Sequence, residues 1–166
     1  MTRPAADRSR AVAPPIVCRA VEGPDELAEH HRIRHAVFVG EQAVFTGSDV
    51  DAHDARDDVV HVLAWSDGVP VGTVRLYPLD PGTGLWQGDR LAVLRSSRAI
   101  GAGGPLVRFA VSSAGRAGGR AMLAHVQLPN QRFFERLGWT AGETEIYAGL
   151  PHVTMSIELM TDPGPP

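Results

Sequence analysis

The chain has no lysine: all 16 of its basic residues are arginine. They are scattered rather than gathered along one face, and the formal net charge is −3. A nucleic-acid binder needs a basic stripe or patch, so that class is disfavoured from the outset. Cysteine occurs once, at Cys18, which rules out an intramolecular disulfide. Cys18 lies in the apolar run IVCRAV and reads as a buried strand residue rather than a nucleophile. No apolar run approaches the ~18–20 residues needed to span a membrane. The opening stretch MTRPAADRSRAVAPP lacks the apolar core of a signal peptide. These absences lead us to expect a cytoplasmic protein with no membrane and no nucleic-acid partner. What remains, 166 residues of which 43% are hydrophobic, suits one domain with a real core.

The most informative stretch is RSSRAIGAGG, Arg95–Gly104, which follows the apolar run DRLAVL. It contains Arg98-x-x-Gly101-x-Gly103-Gly104, and PLVRFAV after it reads as the first turns of a helix. A glycine-rich turn between strand and helix leaves several backbone N–H groups pointing one way. The positive end of the helix dipole adds to them, so the turn suits a phosphate or pyrophosphate. No Gly-Lys-Ser/Thr follows, so it is not a P-loop, and the glycine spacing does not fit the dinucleotide fingerprint.

Residues 1–15 read as a disordered tail, 16–160 as a single domain, and 161–166 as a second tail. Ile16–Val21 is a predicted strand. Leu27, His31, Arg34 and Phe38 fall at helical spacing, predicting an amphipathic helix over Asp25–Val39. Gly40–Asp58 is an acidic loop. Strands follow at Val59–Trp65, Val69–Tyr77 and Asp89–Leu94, the first two joined by a Ser66-Asp67-Gly68 turn. A helix over Pro105–Ala117 ends at Gly118-Gly119. A strand over Arg120–Gln127 and a helix over Pro129–Leu137 come next. Thr140–Tyr147 and Val153–Met160 look like a final antiparallel pair. The fold class is therefore mixed α/β.

Arg98-x-x-Gly-x-Gly after a strand resembles the coenzyme A pyrophosphate loop of the GNAT superfamily of acyl-CoA N-acyltransferases. QRFFERLGW, Gln131–Trp139, is similar to the family's fourth helix, and GLPHVTMSIEL to its final strand. The pieces RHAVFVGEQAVFTGSDVDAHD, VRLYPLD and LWQGDRLAV are similar to a bacterial subgroup, the nitrogen-starvation acetyltransferases. The resemblance implies a mostly antiparallel sheet, flanked by helices and splayed between its fourth and fifth strands. Acetyl-CoA would lie in the splay, its arm pairing with Leu91, Ala92 and Val93. Its pyrophosphate would sit on Arg98, Ala99, Ile100, Gly101, Ala102, Gly103 and Gly104. Asn130, Phe133 and Phe134 would flank it. Phe134 stands where many members carry a tyrosine that protonates the leaving thiolate. A phenyl ring cannot donate a proton, which leaves Tyr147, His125 or water.

Asp49, Asp51, His53, Asp54, Asp57 and Asp58 crowd the acidic loop. An EF-hand starting at Asp49 would want glycine where Asp54 stands and glutamate where Val60 stands, and no cysteine supports zinc. No metal is expected. The loop is instead similar to that of acyl-homoserine-lactone synthases, which pair Arg-x-x-x-Phe with acidic-x-Asp-x-x-Asp. Arg34 and Phe38 fit the first element, Asp49, Asp51 and Asp54 the second, and Arg75 a later strand arginine. The resemblance implies that Arg34, Phe38, Asp51, Asp54 and Arg75 shape an acceptor pocket. The alternative is that these charges form a structural ion-pair cluster over the sheet.

Acyl transfer to an amine needs a group to take its proton. Asp89, at the start of the fourth strand, is one candidate, and His61 and His125 are rivals. A backbone N–H around Leu91–Val93 would hold the oxyanion. The functions open at this stage are an N-acetyltransferase for a small-molecule amine, an amino-lactone-synthase-like acyltransferase, and a CoA-sensing fold without catalysis. A homodimer is compatible with each.

Overall fold

The computed structural model describes residues 12–160. The C-terminal tail, and residues 1–11 of the N-terminal one, lie outside the described residues. Seven strands form one sheet: β1 (Ile16–Ala20), β2 (Val60–Ser66), β3 (Val69–Asp80), β4 (Leu85–Val93), β5 (Ala121–Gln127), β6 (Thr140–Tyr147) and β7 (Leu150–Glu158). Their order across the sheet is β1-β2-β3-β4-β5-β7-β6. Every neighbouring pair is antiparallel except β4 and β5, which run parallel.

The parallel pair is joined only at Leu85–Ala121, Trp86–Met122 and Gln87–Leu123. Beyond Gln87 the two strands diverge, so the expected splay is present. Its cause lies in β4. Thr73 pairs with Ala92 and Arg75 with Asp89, so one residue of β3 faces two of β4. This is a β-bulge, and Arg90 sits in it at φ +51.

Helix α1 (Gly23–Arg34) covers one face of the sheet, where Ile33, Val37, Phe38, Leu63 and Ala92 pack together. Helix α2 (Gly103–Arg116) covers the other with Leu106, Val107, Ala110 and Ala114. Helix α3 (Gln131–Arg136) adds Phe134 to this second core. Among the described residues, no helix is long and apolar enough to cross a membrane.

Several element boundaries differ from expectation. The first helix is α-helical only to Arg34 and continues as a π-helix over His35–Glu41. Its wider turn is closed by the Gln42 N–H donating to the Val37 carbonyl at 2.8 Å. Strand β4 begins at Leu85 rather than Asp89, because Leu85–Gln87 are needed to pair with both neighbours. The third helix starts at Gln131, after a 3₁₀ turn over Leu128–Asn130. Cys18 is half-buried, and burial pushes its thiol up to about 11, against a nucleophilic role.

Candidate active site

Side chains alternate between faces along a strand. On β3, Val74 and Leu76 join the α2 core, whereas Arg75 points to the α1 side. The bulge breaks this alternation in β4 and brings both Asp89 and Arg90 to the α1 side. A charged layer results.

Arg75 donates to Asp89 from Nε and Nη2, each at 2.7 Å, and to Asp51 from Nη1 at 2.7 Å. Arg34 donates to Asp49 at 2.7 Å and to Asp54 at 2.6 and 3.0 Å. Arg90 reaches Asp49 at 3.0 Å and Asp51 at 3.2 Å, with its guanidinium 4.5 Å from the Phe45 ring centroid. Three arginines thus meet four aspartates. Arg34 and Arg75 are 0% exposed. Such burial is tolerable only because each guanidinium is paired with carboxylates.

The directions of titration fit this picture. Burial pushes the Asp54 carboxyl up, but hydrogen bonds from His61 and Arg34 outweigh it and hold it well below the usual range. Burial likewise opposes the charge on Arg75, and the Asp89 and Asp51 hydrogen bonds overcome it, keeping the guanidinium protonated. The left-handed backbone at Arg90, costly for a non-glycine residue, is held by these same contacts.

A cavity of about 140 Å³ opens in the splay. It passes from the α2 side, where Val107, Ala110, Met122 and Trp139 line it, to the α1 side at Phe38, Phe45, Asp89 and Arg90. Leu91, Asn130 and Phe134 line it too, as do His125 and Tyr147. Trp139 is 5% exposed and its indole N–H has no partner among the described residues.

The sequence-derived site residues separate into groups. Phe38, Asp89, Leu91, His125, Asn130, Phe134 and Tyr147 share the cavity. Arg34, Asp54 and Arg75 lie in the charged layer outside the lining, and Asp51 is its most open member with a side chain 36% exposed. Ala92 is buried under α1 instead of facing the cavity, and Val93 packs at the edge of the α2 core. His61 faces away from the splay, its Nε2 2.9 Å from Asp54. Phe133 is packed against the loop: a Cβ on Gly103 would meet its ring at 3.3 Å.

The glycine loop is built as a 3₁₀ turn, Arg95–Ile100, closed by Gly101 at φ +79. Ala102 then precedes α2 with no side-chain cap, so the first N–H groups of α2 have no intrachain side-chain acceptor. Arg98 is paired to both carboxylate oxygens of Glu41 at the end of the π-helix. The residues present therefore fit an anionic group at this helix start.

Sequence reasoning missed three groups. His30, fully buried, donates from Nδ1 to the Val62 carbonyl, 3.1 Å away, while its Nε2 has no partner among the described residues. Arg90 is a full member of the charged layer. Glu145 contacts His125 Nδ1. His31, Asp54 and His61 could offer ligand atoms within 4.8 Å of one another. Asp54 already accepts from Arg34 and the Asp51 N–H and is ion-paired with Arg75 at 3.0 Å, and those guanidinium charges oppose a cation there.

Residues 26–139 match the pattern of the acetyltransferase (GNAT) family, and the chain belongs to that family. It is 32% identical over 140 residues to a Bacillus subtilis protein named as an acetyltransferase, covering 83% of this chain and 93% of that one. An acyl-CoA N-acyltransferase from Pseudomonas aeruginosa has 27% identity and a TM-score of 0.73, over 86% of this chain and 97% of that one. The CoA-dependent acyl-homoserine lactone synthase BjaI shares the fold at 20% identity and TM-score 0.72, over 87% of this chain and 84% of that one. The class is an acyl-CoA N-acyltransferase. These likenesses establish the superfamily, not the nitrogen-starvation subgroup.

Proposed function

We propose that residues 16–160 form a domain that moves an acetyl group from acetyl-CoA to the amine of a small metabolite. The observation that carries this reading is the cavity through the splay, with the uncapped α2 start on one side and His125 on the other. The pyrophosphate would lie on the N–H groups of Gly101–Gly104 beside Arg98. The arm would follow Leu91, between β4 and the Asn130–Phe134 turn. The acceptor would enter from the α1 side, past Phe38, Asp89 and Arg90.

The amine nitrogen bonds to the thioester carbon, the carbon–sulfur bond breaks, and the amine proton must be taken up. Asp89 is committed to Arg75 and also accepts from the Tyr77 hydroxyl at 3.3 Å. His61 is outside the cavity lining. His125 lines the cavity and is free at Nε2, so it is the base that this geometry favours. Tyr147, stacked on it, stands where a proton could be returned to the departing sulfur.

The charged layer favours a second reading for the acceptor. Arg34, Phe38, Asp51, Asp54 and Arg75 are brought together, as they would be in an enzyme that uses an amino-acid-like acceptor such as S-adenosylmethionine. The test is thiol release from acetyl-CoA across a panel of small amines, with S-adenosylmethionine included. Release with amines supports the first reading and release only with S-adenosylmethionine the second. Binding of acetyl-CoA without release from any of them would favour a non-catalytic sensor.

A further inference from the structure

Glu145 stands on β6, the outermost strand, yet its carboxylate reaches across β7 to the ring of His125 on β5. The register explains how. His125 pairs with Thr154 of β7, and Glu145 pairs with the neighbouring His152. The Thr154 hydroxyl donates to the same Glu145 oxygen at 3.1 Å and so fixes the carboxylate beside the ring. The Tyr147 ring stacks on the imidazole with centroids 4.8 Å apart and planes 6° apart. Tyr147 is itself braced edge-on by His152 at 5.3 Å. Four side chains from two strands therefore hold one imidazole of a third strand in one plane at the wall of the cavity.

A carboxylate only accepts hydrogen bonds. The Glu145 carboxyl is held below its ordinary range, first by the hydrogen bond from His125 and then by that from Thr154. The contact with Nδ1 therefore requires the proton on Nδ1, which places the lone pair of the neutral ring on Nε2. We infer that Glu145 is a positioning residue that fixes His125 in the Nδ1–H tautomer, so that Nε2 accepts the proton of the acyl-accepting amine. As the carbon–nitrogen bond forms and the carbon–sulfur bond breaks, that proton moves to Nε2, and the carboxylate faces the imidazolium so formed. The sulfur leaves as thiolate, to which Tyr147 can then return a proton. A base oriented by a third group is a general device for proton transfer.

This inference rests on the reading of His125 as the base, and the experiment separates the two. Nitrogen-15 spectra of the imidazole need no acceptor substrate. In the wild-type protein His125 is expected to show an unprotonated Nε2 and a protonated Nδ1. In Glu145→Gln the proton is expected to spread over both nitrogens, because an amide can either accept from Nδ1 or donate to it. With an amine that releases thiol, Glu145→Gln is expected to lower kcat about tenfold or more while the KM for acetyl-CoA stays within about twofold. Glu145→Asp is expected to recover part of the rate. Glu145 is exposed enough for the variants to fold. An unchanged tautomer in Glu145→Gln overturns the role of Glu145. So does wild-type kcat in that variant when His125→Ala is slow. Wild-type kcat in His125→Ala overturns the base itself. Thiol release from no amine overturns the transferase reading, with the tautomer result still deciding the positioning claim.

Discussion

Arg75 holds Asp89 through two hydrogen bonds of 2.7 Å, Nε to Oδ1 and Nη2 to Oδ2. The two residues are direct cross-strand partners, Arg75 on β3 and Asp89 on β4. The pair is the inner end of a layer whose fully buried charges cannot be removed singly without a large cost. Arg75→Met leaves Asp51, Asp54 and Asp89 short of a counter-ion, and is expected to cost about 3–5 kcal/mol. Asp51→Asn, at the open edge of the layer, is expected to cost no more than about 1 kcal/mol. Urea denaturation of the two variants checks the ranking. A small loss for Arg75→Met would mean that water or a moved side chain replaces it.

His30 makes folding sensitive to mild acid. Burial, and then the charges of His61 and Arg34, push its ring down to about 2, against 6.5 for a free side chain. The folded protein therefore keeps His30 neutral while the unfolded chain takes up a proton below pH 6.5. The unfolded state then binds more protons, so stability falls as pH drops from 6.5 toward 2. The slope from one such group is about 1.4 kcal/mol per pH unit. His30→Gln, which can still donate to the Val62 carbonyl, is expected to remove that slope between pH 6 and 5. Equal slopes in both proteins would show that His30 titrates alike folded and unfolded.

The sequence made the element order and the glycine turn before α2 legible because both rest on local signals. Gly101–Gly104 punctuates a strand and a helix, and the apolar periods on either side are clear. The site was harder to read, because its members meet through non-local geometry. Nothing local shows that Arg90 occupies a left-handed bulge, since a glycine at position 88 is the more obvious place for a kink. That bulge is what puts Asp89 and Arg90 on one face. The spacing of Leu27, His31, Arg34 and Phe38 in the first helix includes two buried positions, Arg34 and Phe38, but it passes over His30, which is also buried. Glu145 carried no signal at all. It lies 20 residues from His125 on a strand whose side chains are nearly all exposed.

Gly103 tests the anion loop. Its Cβ position is 3.3 Å from the Phe133 ring and at the start of α2. Gly103→Val adds a branched side chain beside the ring and where the proposed pyrophosphate would lie. We expect a folded variant whose Kd for CoA is raised about tenfold or more, equivalent to about 1.4 kcal/mol. Calorimetric titration measures this directly. Unchanged affinity would place the coenzyme elsewhere.

Glu41 would compete with the pyrophosphate for Arg98 in the proposed complex. Its two oxygens occupy the Arg98 guanidinium, and it closes the π-helix that carries Phe38 into the cavity. A bound pyrophosphate must share Arg98 with Glu41 or displace it. An exposed pair of this kind contributes up to about 1 kcal/mol. Glu41→Gln releases that restraint and removes a negative charge from the loop, so it is expected to lower the Kd for CoA by about two- to fivefold. Arg98→Ala is expected to raise it. In the double variant there is no arginine to withhold, so the gain from Glu41→Gln should shrink to what the lost negative charge alone gives, which a double-mutant cycle reads as coupling. Weaker binding in Glu41→Gln would reverse the assignment. The pair would then be the device that holds the loop in its binding conformation, with Arg98 acting through Glu41 and not on the phosphate.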